Sequence, residues 1–217
     1  SLVGSIGWLA CSTRPELAAV YSFLSAYSHA PANGHMKSAL YALHYIHSTH
    51  DLGITFTSRH RKEAHSYVHF PDSSDVEAYD DARPPTPAQR SRTTAYSDAC
   101  WGSQIGNSVQ PGCQLPLFKF RSMSGAMIFR MGGTLSWKAV RQEKTSLSSC
   151  EAEIRATNEG SKLMVATRNF ATAFASSGIT LPDFAGPTKV YNDNESCVTW
   201  ANSTTTKGIR HMELREN

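Results

Sequence analysis

Apolar positions along the chain fall first into helical and then into strand spacing. Leu17, Val20, Tyr21, Leu24 and Tyr27 recur every three or four residues, the period of a helix with one buried face. Thr13-Arg14-Pro15-Glu16 ahead of them has the form of a capping box, with Thr13 as cap and Glu16 reaching back. A second helix is predicted from near Asn33, with Met36, Leu40, Leu43 and His47 on one face and its end near Asp51-Leu52-Gly53. Two helices joined through a turn at Pro31 make an αα-hairpin that cannot bury its apolar faces alone. This segment must lean on something else.

The pattern changes after Thr93. Thr94 to Ser97 reads as a short strand leading to Asp98, and Gly125 to Met131 and Thr134 to Lys138 flank Gly132-Gly133, a hairpin signal. A long helix is predicted from about Ser149 to Ser176, with Ile154, Leu163, Val165, Phe170 and Phe174 among its apolar positions and Gly178 as its C-terminal stop. Lys189 to Asn192 is another strand and Glu195 to Asn202 another helix. That order predicts an α/β fold, a mixed sheet flanked by helices and preceded by an α-helical segment.

Composition divides the chain into three parts. Residues 1–57 are the helical piece, and residues 93–217 are the α/β domain. Between them, residues 58–92 read as a linker that runs from Arg59-His60-Arg61-Lys62 to Pro84-Pro85-Thr86-Pro87. Tyr79-Asp80-Asp81 within it lacks the spacing and the flanking strands of a polymerase metal site. Charged residues are only 18% of the 217, and no run of apolar residues is long enough to span a membrane. The net charge of +3 sits wholly in the α/β part, where thirteen basic residues from Thr93 onward face ten acidic ones. That is a mild sign of a polyanionic partner. Five cysteines without a C-x-x-C pair predict neither a disulfide framework nor a zinc site, and favour a reducing compartment.

Three acids stand at element boundaries: Asp98 ends the first strand, Glu151 lies in the first turn of the long helix, and Asp193 ends the later strand. If the strands are neighbours and the helix crosses them, the three converge. Converging carboxylates repel unless protonated or bound to a hard cation such as Mg²⁺. Each acid also has a local role open to it. Ser148-Ser149-Cys150-Glu151 is itself a capping box, Asp193 can cap the helix that follows it, and Asp98 can close a turn.

Several ordered motifs then resemble one family. Tyr96-Ser97-Asp98-Ala99-Cys100-Trp101, Ser136-Trp137-Lys138 with Arg141-Gln142, Ser148-Ser149-Cys150-Glu151-Ala152-Glu153, Asp193-Asn194-Glu195-Ser196 and Arg210-His211-Met212-Glu213-Leu214-Arg215 look like the ribonuclease H domain of copia-type retrotransposon polyproteins. Val3-Gly4-Ser5-Ile6, Thr13 to Leu17, Leu24-Ser25, Pro31, His35 and Tyr45-Ile46 look like the end of that family's reverse transcriptase region.

The resemblance implies a ribonuclease H-like fold that cleaves the RNA strand of RNA–DNA hybrids during reverse transcription. Two Mg²⁺ ions, replaceable by Mn²⁺, would be held by Asp98, Glu151, Asp193 and Glu213, with His211 assisting product release or proton transfer. Glu213 departs from the family's usual Asp. Ser97, Ser149 and Asn194 would contact 2′-hydroxyls, and Lys138 and Arg141 would grip phosphates. The implied partners are the hybrid and the rest of the Pol polyprotein, with no membrane. The implied setting is a cytoplasmic virus-like particle or the nucleus. Two alternatives accompany this reading: a catalytically inactive nucleic-acid-binding remnant of a decayed, C-terminally truncated element, and an integrase or transposase relative.

Overall fold

The structure, a computed structural model, describes residues 1–56, 93–101, 121–179, 184 and 188–203. The linker at 58–92, His211, Glu213 and the truncated C-terminal helix expected around them lie outside the described residues.

The N-terminal part contains three helices. α1 (Leu2–Ser12) was not anticipated from spacing, because its apolar residues do not form one clean stripe; it buries Ile6, Gly7 and Ala10. Gly7 is fixed by packing, since a Cβ there would lie 2.4 Å from the Tyr21 ring. The expected capping box at Thr13 does not form. Thr13 ends α1, with its N–H on the Leu9 carbonyl, and Glu16 pairs with Arg14 instead. Pro15–Leu17 make a short 3₁₀ turn that leads into α2 (Ala18–Ser25).

α3 (Asn33–Ser48) buries Ala39 and Ala42, while Met36 and Leu40 of the predicted apolar face are exposed. Small side chains let the helix axes approach, so Ala39 and Ala42 join Ile6, Ala10, Leu17 and Leu24 in one core. Arg14 locks the corner. Its guanidinium is buried, donates to the Thr49 carbonyl at 3.1 Å and to Thr49 Oγ1 at 2.7 Å, and lies 5.6 Å from the centre of the Tyr45 ring. A buried guanidinium is tolerated only when its donors are satisfied in this way.

Among the described residues four strands follow: β1 (Thr94–Cys100), β2 (Met123–Arg130), β3 (Gly133–Arg141) and β4 (Lys189–Tyr191). Their order is β3-β2-β1-β4, antiparallel except for β1 and β4, which run parallel. The fold is thus a mixed α/β sheet flanked by helices. The β2–β3 turn is Met131-Gly132, one residue earlier than Gly132-Gly133. Both turn residues have positive φ, 52° and 77°, as the tight hairpin turn matching strand twist requires. Gly133 belongs to the strand for a different reason: a Cβ there would meet Phe56 Cδ1 at 2.7 Å and the Thr55 carbonyl at 2.9 Å.

The long helix α4 (Ser149–Ser176) has the predicted span and only part of the predicted face, with Ile154 buried and Leu163 packed against Ala95 and Ile128. Val165 and Phe170 are more than half exposed, and Phe174 is exposed as well. The buried stripe is instead Glu153, Ala156, Gly160, Met164, Thr167 and Ala171. It packs on β1 and β2, whose inward positions include Ala95, Ser97, Ser124, Ala126 and Ile128. A Cβ at Gly160 would sit 3.4 Å from Ser97 Cβ, so helix and sheet are already in close contact. Gly178, with φ 83°, stops α4 as expected: its N–H bonds the Ala175 carbonyl, and Ile179 N–H reaches Phe174. The final described helix is α5 (Glu195–Ala201).

Successive residues of β3 point to opposite faces and show what covers each. Lys138 reaches Glu159 of α4, whereas the Trp137 indole N–H donates to the Ala10 carbonyl of α1 at 2.6 Å. Ser22 of α2 likewise contacts Met123 Sδ at 3.7 Å. The helical piece therefore packs on the far face of the sheet, toward β3. Gln142 clasps the loop after β3: its amide donates to Ser124 Oγ and the Ala152 carbonyl, and its oxygen accepts from Ser146 Oγ. Among the described residues, Cys11, Cys100, Cys150 and Cys197 are free thiols, and no helix is long and apolar enough to cross a membrane.

Met131 carries a left-handed backbone that costs a side-chain residue about 1–2 kcal/mol. Met131→Asn is expected to raise stability by about 0.5–1 kcal/mol, since Asn tolerates that conformation. Urea unfolding measures this, and a lowered midpoint would mean that packing by the Met131 side chain outweighs the strain.

Candidate metal centre

Strand register brings two acids to one edge. β1 and β4 are parallel and pair Tyr96 with Tyr191, whose rings stack with centroids 5.1 Å apart. Asp98 and Asp193 each come two residues after that pair, so the two strands deliver them to the same end of the sheet. The third acid comes from α4, and it is Glu153. One carboxylate oxygen from each of Asp98, Glu153 and Asp193 lies within 4.8 Å of the others.

Glu153 is the buried member, 6% exposed, while both aspartates are exposed. Its Oε1 accepts from the Ala99 N–H at 3.1 Å and its Oε2 from Asn192 Nδ2 at 2.8 Å. Burial pushes this carboxyl above the ordinary carboxylate range. The two hydrogen bonds pull it down, the charges of Asp98 and Asp193 push it up again, and the net direction is upward. Three acids this close, one of them buried, form a site that protonation or a hard cation relieves.

Glu151, expected in the cluster, lies elsewhere. Its N–H donates to Ser148 Oγ, its Oε2 accepts from Leu147 N–H at 2.8 Å, and its Oε1 takes the Arg155 guanidinium at 2.8 Å. The carboxylate is buried and spent on the helix N-terminus and on Arg155, so the capping role left open above is the one it fills. Glu153, two residues on, is turned onto the sheet-facing stripe. The spacing of Glu153, Ala156, Gly160, Met164, Thr167 and Ala171 contained that signal, but small and polar residues hid it from a search for large apolar ones.

The remaining expected residues are placed as follows. Ser97 is buried, and its Oγ is 3.0 Å from Thr157 Oγ1. Asn194 caps α5, its Oδ1 accepting from Cys197 N–H at 2.9 Å. Ser149 is exposed in the first turn of α4. Lys138 is paired with Glu159, and Arg141 donates to the Arg121 carbonyl at 3.0 Å. His211 and Glu213 lie outside the described residues. Asn192, absent from the expected set, touches more of this site than any serine that was in it.

No family model matches the chain, and no solved structure matches it. The chain is similar to the secreted RxLR effector protein 161 of Plasmopara viticola, with 28% identity over 162 residues that cover 75% of this chain and 85% of that protein. This finding overturns the assignment to a copia-type retrotransposon polyprotein, with its ribonuclease H and reverse transcriptase domains, because the matched protein is a secreted effector. It also points away from a cytoplasmic virus-like particle. Local structure shows why the motifs misled. Ser148 and Glu151 cap α4, Asn194 caps α5, and Trp137 ties β3 to α1. Such devices serve helix ends and strand faces whatever their ancestry.

The raised Glu153 carboxyl fixes the sign of a pH effect. The folded chain holds this proton in a range where the unfolded chain has lost it, so folding takes up a proton there. In chelator, stability should therefore rise as the pH falls from the raised folded value toward the ordinary carboxylate value. Asp98→Asn removes one repelling charge and should shift that window downward while raising the thermal midpoint at neutral pH. Thermal unfolding across pH 4–8 checks both, and a wild-type midpoint that drops as the pH is lowered through the window would contradict the account.

Proposed function

We propose that this chain hydrolyses phosphodiester bonds of nucleic acid with a divalent cation held by Asp98, Glu153 and Asp193, and that the RNA strand of an RNA–DNA hybrid is its substrate. The observation that carries the reading is the convergence of these three carboxylates at the end of two parallel strands. Their donor set is oxygen only, which fits Mg²⁺ or Mn²⁺ and disfavours softer metals. The sheet order β3-β2-β1-β4, with its one parallel pair and α4 packed across it, supports a ribonuclease H-like arrangement of the fold.

A divalent cation at such a site lowers the pKa of an attacking water and neutralises charge that builds on the phosphate. The chain's own residues supply position and access. Ala99 N–H and Asn192 hold Glu153 from behind, so its free lone pairs face the two aspartates. Asp98 and Asp193 are exposed, which leaves the site open to a polymer. Three carboxylates suffice to share one cation. The second ion of the sequence reading needs a further oxygen ligand, and Glu213, read as that ligand, lies outside the described residues.

A second reading joins secretion, which the likeness to a secreted effector favours, to nucleic-acid binding without cleavage, which the basic excess from Thr93 onward favours. One experiment separates the two: a labelled RNA–DNA hybrid incubated with the chain in Mg²⁺, with Asp98→Asn in parallel. Cleavage of the RNA strand is expected. It should fall more than about a hundredfold in the variant, as expected when a cation's contribution of several kcal/mol is lost. Hybrid binding without cleavage would establish the second reading, and neither binding nor cleavage would overturn both.

A further inference from the structure

We propose that Asn192 is the positioning residue of this centre, setting two of its three acids with the two ends of one amide. The inference rests on the metal-centre reading above and goes beyond it. Asn192 follows β4 directly and lies behind the cluster. Its Nδ2 donates to Glu153 Oε2 at 2.8 Å and to the Ser97 carbonyl at 3.0 Å, with Ser97 Oγ at 3.3 Å and Thr157 Oγ1 at 3.4 Å. Its Oδ1 accepts from Asn194 N–H at 2.9 Å.

The chemistry of an amide makes this division specific. The NH₂ has two hydrogens: one anchors the side chain on β1 through Ser97, and the other holds the Glu153 carboxylate. The oxygen closes a turn across Asp193, so the chain leaves β4 with Asp193 thrown toward Asp98. Glu153 and Asp193 thereby take their positions from the same planar group, and that group is referenced to the strand that carries Asp98. Residues that orient ligands in this way typically matter about 10–100-fold in metal affinity or activity.

Two variants of the full chain separate positioning from mere turn formation. Asn192→Ala removes both functions. Asn192→Ser keeps a hydroxyl that can accept from Asn194 N–H but is too short to reach Glu153. Mn²⁺ binding, followed by electron paramagnetic resonance, should show the half-saturation concentration rise about tenfold or more in both variants. Unfolding midpoints in chelator should fall in both variants, by less in Asn192→Ser, and binding is read well below them. Wild-type Mn²⁺ affinity in Asn192→Ser would overturn the assignment, because only the turn would then matter. A wild-type chain that binds no Mn²⁺ would overturn the metal centre itself, and this assignment with it.

Discussion

The close approach of α4 to the sheet is the constraint on which the rest depends. Gly160 brings the helix against Ser97 and Ala126, whose Cβ atoms would lie 3.4 and 3.6 Å from a Cβ placed there, and Ala156 is fully buried one turn earlier. An alanine at Gly160 would sit in ordinary contact with Ser97 and Ala126, but a longer side chain would wedge the helix outward, and overpacking of this kind costs about 1–3 kcal/mol. Because the helix lies so near, the Glu153 carboxylate can take the Ala99 N–H directly. The acid cluster is therefore a product of side chains that are missing as much as of those present.

That closeness has an electrostatic cost. A buried carboxylate beside two others opposes folding, and the chain offsets it with two hydrogen bonds rather than with a cation of its own. Contrast Glu151, equally buried, which is neutralised by Arg155 and by the helix N-terminus. Two glutamates two positions apart thus meet opposite fates. One is paired with Arg155, and the other, held by two neutral donors, stands among acids that push its pKa upward.

Much of the architecture was legible in the sequence. Alternation and turn residues gave β1, the hairpin and β4, and the caps gave both ends of α4. Faces were read less well, because the search favoured bulk. Met36, Leu40, Phe170 and Phe174 were expected inside and are exposed, while Ala39, Ala42 and Gly160 do the packing. Asp98 and Asp193 stood out as strand-end acids. Glu153 was lost to Glu151 by a rotation of two residues, and the Nδ2 contacts of Asn192 gave no local sign, since their partners are 35 to 95 residues away. The motif resemblance failed for a related reason: short patterns shared by helix caps say little about descent.

The indole of Trp137 and the helices it ties down close the far face of the sheet toward β3. With α4 on the other face, the acids among the described residues lie open along the sheet's end, where β1 and β4 point. Approach from one rim suits a long, thin molecule that slides past, and it gives no enclosure to a small one. On the function proposed above, selectivity on such a rim would come from what touches the polymer on either side of the acids.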